Sequence, residues 1–232
     1  MSKILKTAVI GASGYTGVEC VRLILGHPNL ELTALTAHSR AGEAFGDVFP
    51  SYAGMDLPRL TKWDEVDWDG IDVAFACLPH GASQETIAQI LPKVKTVIDL
   101  SADFRLRDPK LYEATYGRSH DARDILKDAV YGLTEFSRDK LRGANLVACP
   151  GCYPTATLLT LIPAAQSGMI ELDDIVIDAK SGATGAGRKA TLGLSFTELA
   201  EGAQAYGVGA HRHAPEIDQI LERVSGVETK VS

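Results

Sequence analysis

Cysteine is scarce. Four occur in 232 residues, at positions 20, 77, 149 and 152, too few for a disulfide framework at this length. Basic residues are outnumbered, 23 Lys and Arg against 30 Asp and Glu for a net charge of -7. The sequence therefore lacks the cationic surface that a nucleic-acid backbone or an anionic membrane demands, and neither is expected as a partner. No apolar run approaches the ~18 to 20 residues that would span a bilayer. The start, Met1-Ser2-Lys3-Ile4-Leu5-Lys6, has neither the make-up of a secretory signal nor that of an organelle presequence, which leads us to expect a cytoplasmic protein. Internal repeats and low-complexity segments are absent, excluding a solenoid. The acidic stretch from Trp63 to Gly70 reads as a solvated connection.

What is present is a rhythm of short apolar runs. Thr7 to Ile10, Leu30 to Leu35, Val73 to Ala76, Thr96 to Leu100 and Asn145 to Ala148 are strand-like. Between them, Val18-Val21-Leu23-Ile24-Leu25 and Ile87-Ile90-Leu91 have the spacing of helices packed by one face. Alternation of this kind predicts an α/β fold, a Rossmann-type and mainly parallel sheet with right-handed crossovers. Beyond Pro150 the texture changes to a helix over 155–165, a strand over 175–179, a glycine-rich loop, and a helix over 215–224. We expect residues 1–151 to form a dinucleotide-binding domain and 152–232 to begin a second, α+β substrate domain that is cut short.

Directly after the first strand comes Gly11-Ala12-Ser13-Gly14-Tyr15-Thr16-Gly17. Glycines there allow a tight turn and close approach of a pyrophosphate, whose charge is stabilised by N–H groups at the following helix start. Gly11, Ser13, Gly14, Tyr15, Thr16 and Gly17 are thus expected to contact the cofactor. An NAD-preferring site would carry an acidic side chain about 20 residues on; here that place reads Thr36-Ala37-His38-Ser39-Arg40. A hydroxyl beside an arginine suits a 2'-phosphate, so NADP is expected, with Ser39 and Arg40 as contacts.

A second constellation surrounds Cys149-Pro150-Gly151-Cys152-Tyr153-Pro154-Thr155. Cys152 stands between a strand and a helix, where the helix N-terminus favours a thiolate; it is the expected nucleophile. Cys149, Cys20 and Cys77 read as packing. A thioredoxin-like pair is disfavoured because such chains do not open on a dinucleotide loop. A zinc site is disfavoured because His211-Arg212-His213 is spaced more tightly than finger ligands, and no metal is expected. The two histidines suit acid/base work on a thioester, His213 or His211 moving the proton. The segment from Asp178 to Lys189, with Ser181, Gly182 and Arg188, combines glycines, hydroxyls and cations in a form that can nest an anion.

These segments, with Asp99-Leu100-Ser101-Ala102-Asp103-Phe104-Arg105 and His211 to Ile217, together resemble the N-acetyl-gamma-glutamyl-phosphate reductase family, relatives of the aspartate-semialdehyde dehydrogenases. The resemblance implies NADPH-dependent reduction of an acyl phosphate to N-acetyl-glutamate semialdehyde in arginine biosynthesis, by a homotetramer or dimer. Under it Cys152 is the nucleophile, with His213 or His211 as acid/base. Ser101, Arg105 and Arg188 are candidates for substrate, and Ser181, Gly182 and Pro79, in Leu78-Pro79-His80-Gly81, for cofactor. In isolation Arg105 reads as a surface residue. The family continues well past position 232. Two alternatives stay open: a related reductase acting on another acyl phosphate, and a non-catalytic NADP-binding redox sensor built on Cys152.

Overall fold

The apolar runs become the strands of one sheet in a computed structural model that describes residues 3–232. In chain order the elements are β1 (Leu5–Ile10), α1 (Tyr15–Leu25), β2 (Leu30–Thr36), α2 (Phe45–Val48), β3 (Leu60–Thr61), β4 (Val73–Ala76), α3 (Ser83–Ile90), β5 (Thr96–Asp99), α4 (Pro109–Tyr116), α5 (Arg123–Leu126), β6 (Val130–Tyr131), α6 (Thr134–Leu141), β7 (Leu146–Ala148), α7 (Cys152–Gln166), α8 (Phe196–Leu199) and α9 (Ala214–Ser225). The strands run in the order β3-β2-β1-β4-β5-β7-β6, and each neighbouring pair is parallel. Strand order reverses between β1 and β4, which makes the carboxyl ends of these two strands the place where such sheets hold ligands.

The chain divides into two units. The first comprises the residues up to Arg105 together with His120–Cys149, and the second Leu106–Ser119 with Pro150–Ser232. All seven strands lie in the first unit, where both faces of the sheet are covered. Ala8 and Ile10 point into a cluster with Ala74, Ile87, Ile90 and Val97; Val9 points the other way, to Val21, Ile24, Leu35 and Phe45. A strand buried on both faces must be apolar at successive positions, which is why Ala8-Val9-Ile10 of β1 and Val73-Ala74-Phe75-Ala76 of β4 carry no polar alternation.

In the second unit α7 buries Pro154, Leu158 and Ile162, spaced one helical turn apart, and α9 buries Ile217, Ile220 and Leu221. The strand expected over 175–179 is not present. Ile175 makes one isolated bridge to Val231, and Val176 is exposed; a ladder needs a partner along its whole length, and here two residues supply it. Residues 180–191 are exposed throughout.

Candidate active site

The glycine loop is built by backbone crowding. Gly11 has φ +78, and a Cβ there would lie 2.4 Å from the carbonyl oxygen of Cys77, so the loop leaving β1 rests directly on the loop leaving β4. At Gly17 a Cβ would meet the Gly11 oxygen at 2.5 Å and the Ala12 Cα at 2.7 Å. Only glycine permits either approach. Gly14 caps α1 with extended backbone, no side chain occupies the cap, and the first turn holds no acidic residue. The opening N–H groups of α1 have no acceptor within the helix, so this end of α1 fits a pyrophosphate. Tyr15 and Thr16 are exposed, and Ser13 is half-buried.

At the expected 2'-phosphate position Ser39 is exposed. The Arg40 guanidinium is 2.9 Å from the Glu43 carboxylate, both side chains about two-fifths exposed. The cation is thus placed near the end of β2 but shares its charge with an acid that a phosphate would have to displace.

The thiol lies in the second unit. Gly151 caps α7 and Cys152 is its first residue, exposed. Gly151 donates its N–H to Glu216 Oε1 at 2.9 Å, and Thr155 binds the Gly151 carbonyl through both its N–H, at 2.9 Å, and its hydroxyl, at 2.8 Å. Glu216 is wholly buried in the first turn of α9. The residue before Cys152 is therefore held on both its polar groups, which fixes the entry of the thiol onto the helix. Tyr153 turns its ring to His211 (centroids 5.1 Å) and His213 (5.9 Å). The two imidazoles lie 4.8 Å apart, and the Tyr153 hydroxyl is 2.6 Å from that of Tyr206. This bond, followed by burial and the nearness of Tyr153 and Cys152, pushes the Tyr206 phenol up to about 12.

His211 Nδ1 accepts the backbone N–H of His213 at 3.1 Å, which leaves the proton of the neutral ring on Nε2. Burial, then the nearby Arg212, holds this imidazole below its ordinary range. His213 is buried and caps α9. The two imidazoles thus share one ring cluster with Tyr153, the residue next to the thiol. Cys149 is a different group: burial first, and then Asp99, pushes its thiol up to about 12, so it stays protonated at neutral pH. Cys20 and Cys77 face each other at 3.7 Å between sulfurs.

Residues 6–144 match the semialdehyde dehydrogenase NAD-binding domain, and residues 152–232 match the semialdehyde dehydrogenase dimerisation domain. The chain belongs to the semialdehyde dehydrogenase family. Similar curated proteins include several named N-acetyl-gamma-glutamyl-phosphate reductase. The Rhodospirillum rubrum protein is 51% identical over 230 residues, 97% of this chain and 65% of the relative. The Afipia carboxidovorans protein is 50% identical over 236 residues, 100% of this chain and 67% of the relative. A probable chloroplastic enzyme of Oryza sativa is 49% identical, over 98% and 54%. The chain spans about two thirds of the length of these bacterial relatives. Among solved structures, aspartate semialdehyde dehydrogenase II of Vibrio cholerae superposes with TM-score 0.66 at 15% identity, over 100% of this chain and 69% of that one. The Candida albicans enzyme with NADP gives 0.61 at 16%, over 99% and 66%. The likeness is one of fold, and it bears out the expected parallel α/β sheet.

In this semialdehyde dehydrogenase family member the remaining expected residues are distributed unevenly. Arg105 is buried, not on the surface: its Nε donates to the Cys149 carbonyl at 2.7 Å and an Nη to that of Leu100 at 2.9 Å, tying the loop after β5 to the end of β7. Ser101 is buried with its hydroxyl on Asp99 and Ser83. Pro79 is exposed in the turn after β4, and Ser181, Gly182 and Arg188 lie on the exposed stretch of the second unit. The sequence reading missed Tyr153, Tyr206, Glu216 and Gly207. A Cβ on Gly207, at φ +60, would come within 2.9 Å of the His211 ring. A glutamate one helical turn after His213, on the side of α9 that also carries Ile217 and Ile220, was the one legible signal. No helix among the described residues is long and apolar enough to cross a membrane, and none of their His, Cys, Asp and Glu side chains form a group of three or more that could hold a metal ion.

Proposed function

We propose that the protein reduces N-acetyl-gamma-glutamyl phosphate to N-acetyl-glutamate semialdehyde with release of phosphate, working as a cytoplasmic homo-oligomer. The observation that carries this reading is the exposed Cys152 at the head of α7, with its neighbour Tyr153 packed against His211 and His213. The Cys152 sulfur attacks the acyl carbon; a C–S bond forms, the C–O bond to phosphate breaks, and phosphate leaves with the electron pair. The product is an acyl thioester. NADPH, when bound, would be the source of the hydride that this thioester accepts. The C–S bond of the resulting hemithioacetal then breaks, returning the electron pair to sulfur and releasing the aldehyde.

His213 takes the thiol proton before attack, and His211, as an Nε2–H donor, stabilises charge on the carbonyl oxygen. The glycine loop, α1, Ser39, Arg40 and Pro79 would hold the dinucleotide. Arg105, Arg188, Ser181 and Gly182 are assigned to ligand binding on the resemblance, whereas the buried Ser101 hydroxyl, also expected to bind substrate, is taken up by Asp99 and Ser83. The test runs the reaction backwards in the full-length protein: N-acetyl-glutamate semialdehyde and NADP, with and without inorganic phosphate, following NADPH. Formation that needs phosphate and is lost in Cys152→Ala is the expected result; formation without phosphate would mean a hydrolysing dehydrogenase, and none at all would favour a redox sensor.

A further inference from the structure

Four side chains in the first unit form an unbroken line of oxygens under the turn that follows β4. Asp99 Oδ2 lies 2.8 Å from Ser101 Oγ, Ser101 Oγ 2.7 Å from Ser83 Oγ, and Ser83 Oγ 2.8 Å from Asp103 Oδ2. All four residues are buried. Ser83 Oγ also lies 3.5 Å from Asp99 Oδ2; the three short hydrogen bonds of the line need three protons, and the two serine hydroxyls bring two. The third must sit on a carboxyl group.

Which carboxyl holds it follows from the N–H groups. Asp103 collects the Gly81 N–H on both oxygens at 2.7 Å and the Ser83 N–H at 3.3 Å, the environment of an ion. Asp99 receives one N–H, that of Ser101, on its other oxygen at 3.0 Å. The line therefore reads Asp99 Oδ2–H to Ser101, Ser101 to Ser83, Ser83 to the Asp103 carboxylate. Ser101 Oγ also accepts the Asp103 N–H at 3.2 Å, which fills its second lone pair. Other ionisable groups facing Asp99 are Arg105 and the thiols of Cys77 and Cys149, while His120 and Arg105 lie by Asp103 or its loop. Burial above all holds the Asp99 carboxyl up at about 7.

The line ends on the backbone of Gly81 and on Ser83, the first residue of α3. The same turn begins at Cys77, whose carbonyl is the surface on which Gly11 rests. We propose that Asp99, kept as the neutral acid, is a positioning residue that fixes the turn 77–82 against the glycine loop and so sets dinucleotide affinity. The inference rests on the dinucleotide-binding reading above. When Asp99 ionises, three contacts share two protons and two like charges are buried together, so one contact opens and the turn loses its anchor.

Asp99→Asn tests this, since its amide offers an N–H to Ser101 Oγ and an oxygen to the Ser101 N–H without a titrating proton. Two readouts on the full-length protein are needed: the infrared C=O stretch of a protonated carboxyl, and the NADPH dissociation constant from nucleotide fluorescence. The wild type should show the carboxyl band at acid pH and lose it towards pH 8, while Asp99→Asn lacks it. Between about pH 6 and 9 the wild type should lose about fivefold more NADPH affinity than Asp99→Asn, which should match it at the acid end. Changes common to both proteins belong to the nucleotide phosphate and other groups. Should Asp99→Asn fail to fold, Ser83→Ala removes one acceptor and the band should vanish at lower pH. A wild type without the band, a band that survives in Asp99→Asn, or identical pH profiles would overturn the proposal. Absence of NADPH binding in every protein, with the band behaving as expected, would overturn the dinucleotide reading and the positioning role together.

Discussion

Cys149 and Cys152 are three positions apart and differ in surroundings: one is half-buried, with burial pushing its thiol up to about 12, and the other is exposed on the first residue of α7. A short iodoacetamide treatment of the native protein should therefore label Cys152 well before Cys149, read by peptide mass spectrometry; equal labelling would refute the assignment. At the end of β2 the Arg40–Glu43 pair makes an equally local prediction. Glu43→Gln should tighten NADPH binding a few-fold by freeing the guanidinium, and Arg40→Ala should weaken NADPH while sparing NADH. At this scale the sequence was legible where chemistry depends on residue type and immediate neighbours, as for the thiol, the histidines and the glycine loop. It was illegible where a role depends on what folds over a residue. Arg105 follows a strand and read as surface, yet the loop carrying Cys149 closes over it. The place of Glu216 one turn after His213 was legible, but its role emerged only when α9 placed its carboxylate on the Gly151 N–H.

Among elements, the long buried strands and the helices with a regular apolar stripe could be read from spacing, because burial on a fixed face dictates residue type. β3 and β6, two residues each, are too short to impose a pattern, and the 175–179 run has strand composition but pairs only through the isolated bridge of Ile175 to Val231. The α1 junction yields a steric prediction: Gly17→Ala should destabilise the protein by about 2 to 4 kcal/mol in denaturant melts, since its new methyl meets three backbone atoms. Glu216→Ala should cost about 2 kcal/mol by stranding the buried Gly151 N–H, and Glu216→Gln, which keeps an acceptor, should recover most of it. If both variants melt alike, the bond to Gly151 does not hold the head of α7.

Over the whole molecule, two aspartates give opposite slopes to stability against pH. Asp72, held by Lys95 and Lys3, sits below the usual carboxylate range; its contribution is present above about pH 4 and is lost as pH falls. Asp99, raised to about 7, binds a proton in the folded state that the unfolded chain has released, so stability falls as pH climbs from about 4 to about 7. Melting temperatures of Asp99→Asn should decline less over that window than those of the wild type, and parallel curves would contradict the assignment. The topology has a consequence in time. β1 is made first yet lies in the middle of the sheet, with Thr7 paired to Val73 on one side and Leu30 beside Leu5 on the other. A nascent chain can close the β2 side early, but the β4 edge of β1, with the wholly buried Ala8, Val9 and Ile10, stays open until residues 73–76 have left the ribosome. That interval is when the growing polypeptide offers an unpaired apolar strand to a chaperone or to another nascent copy.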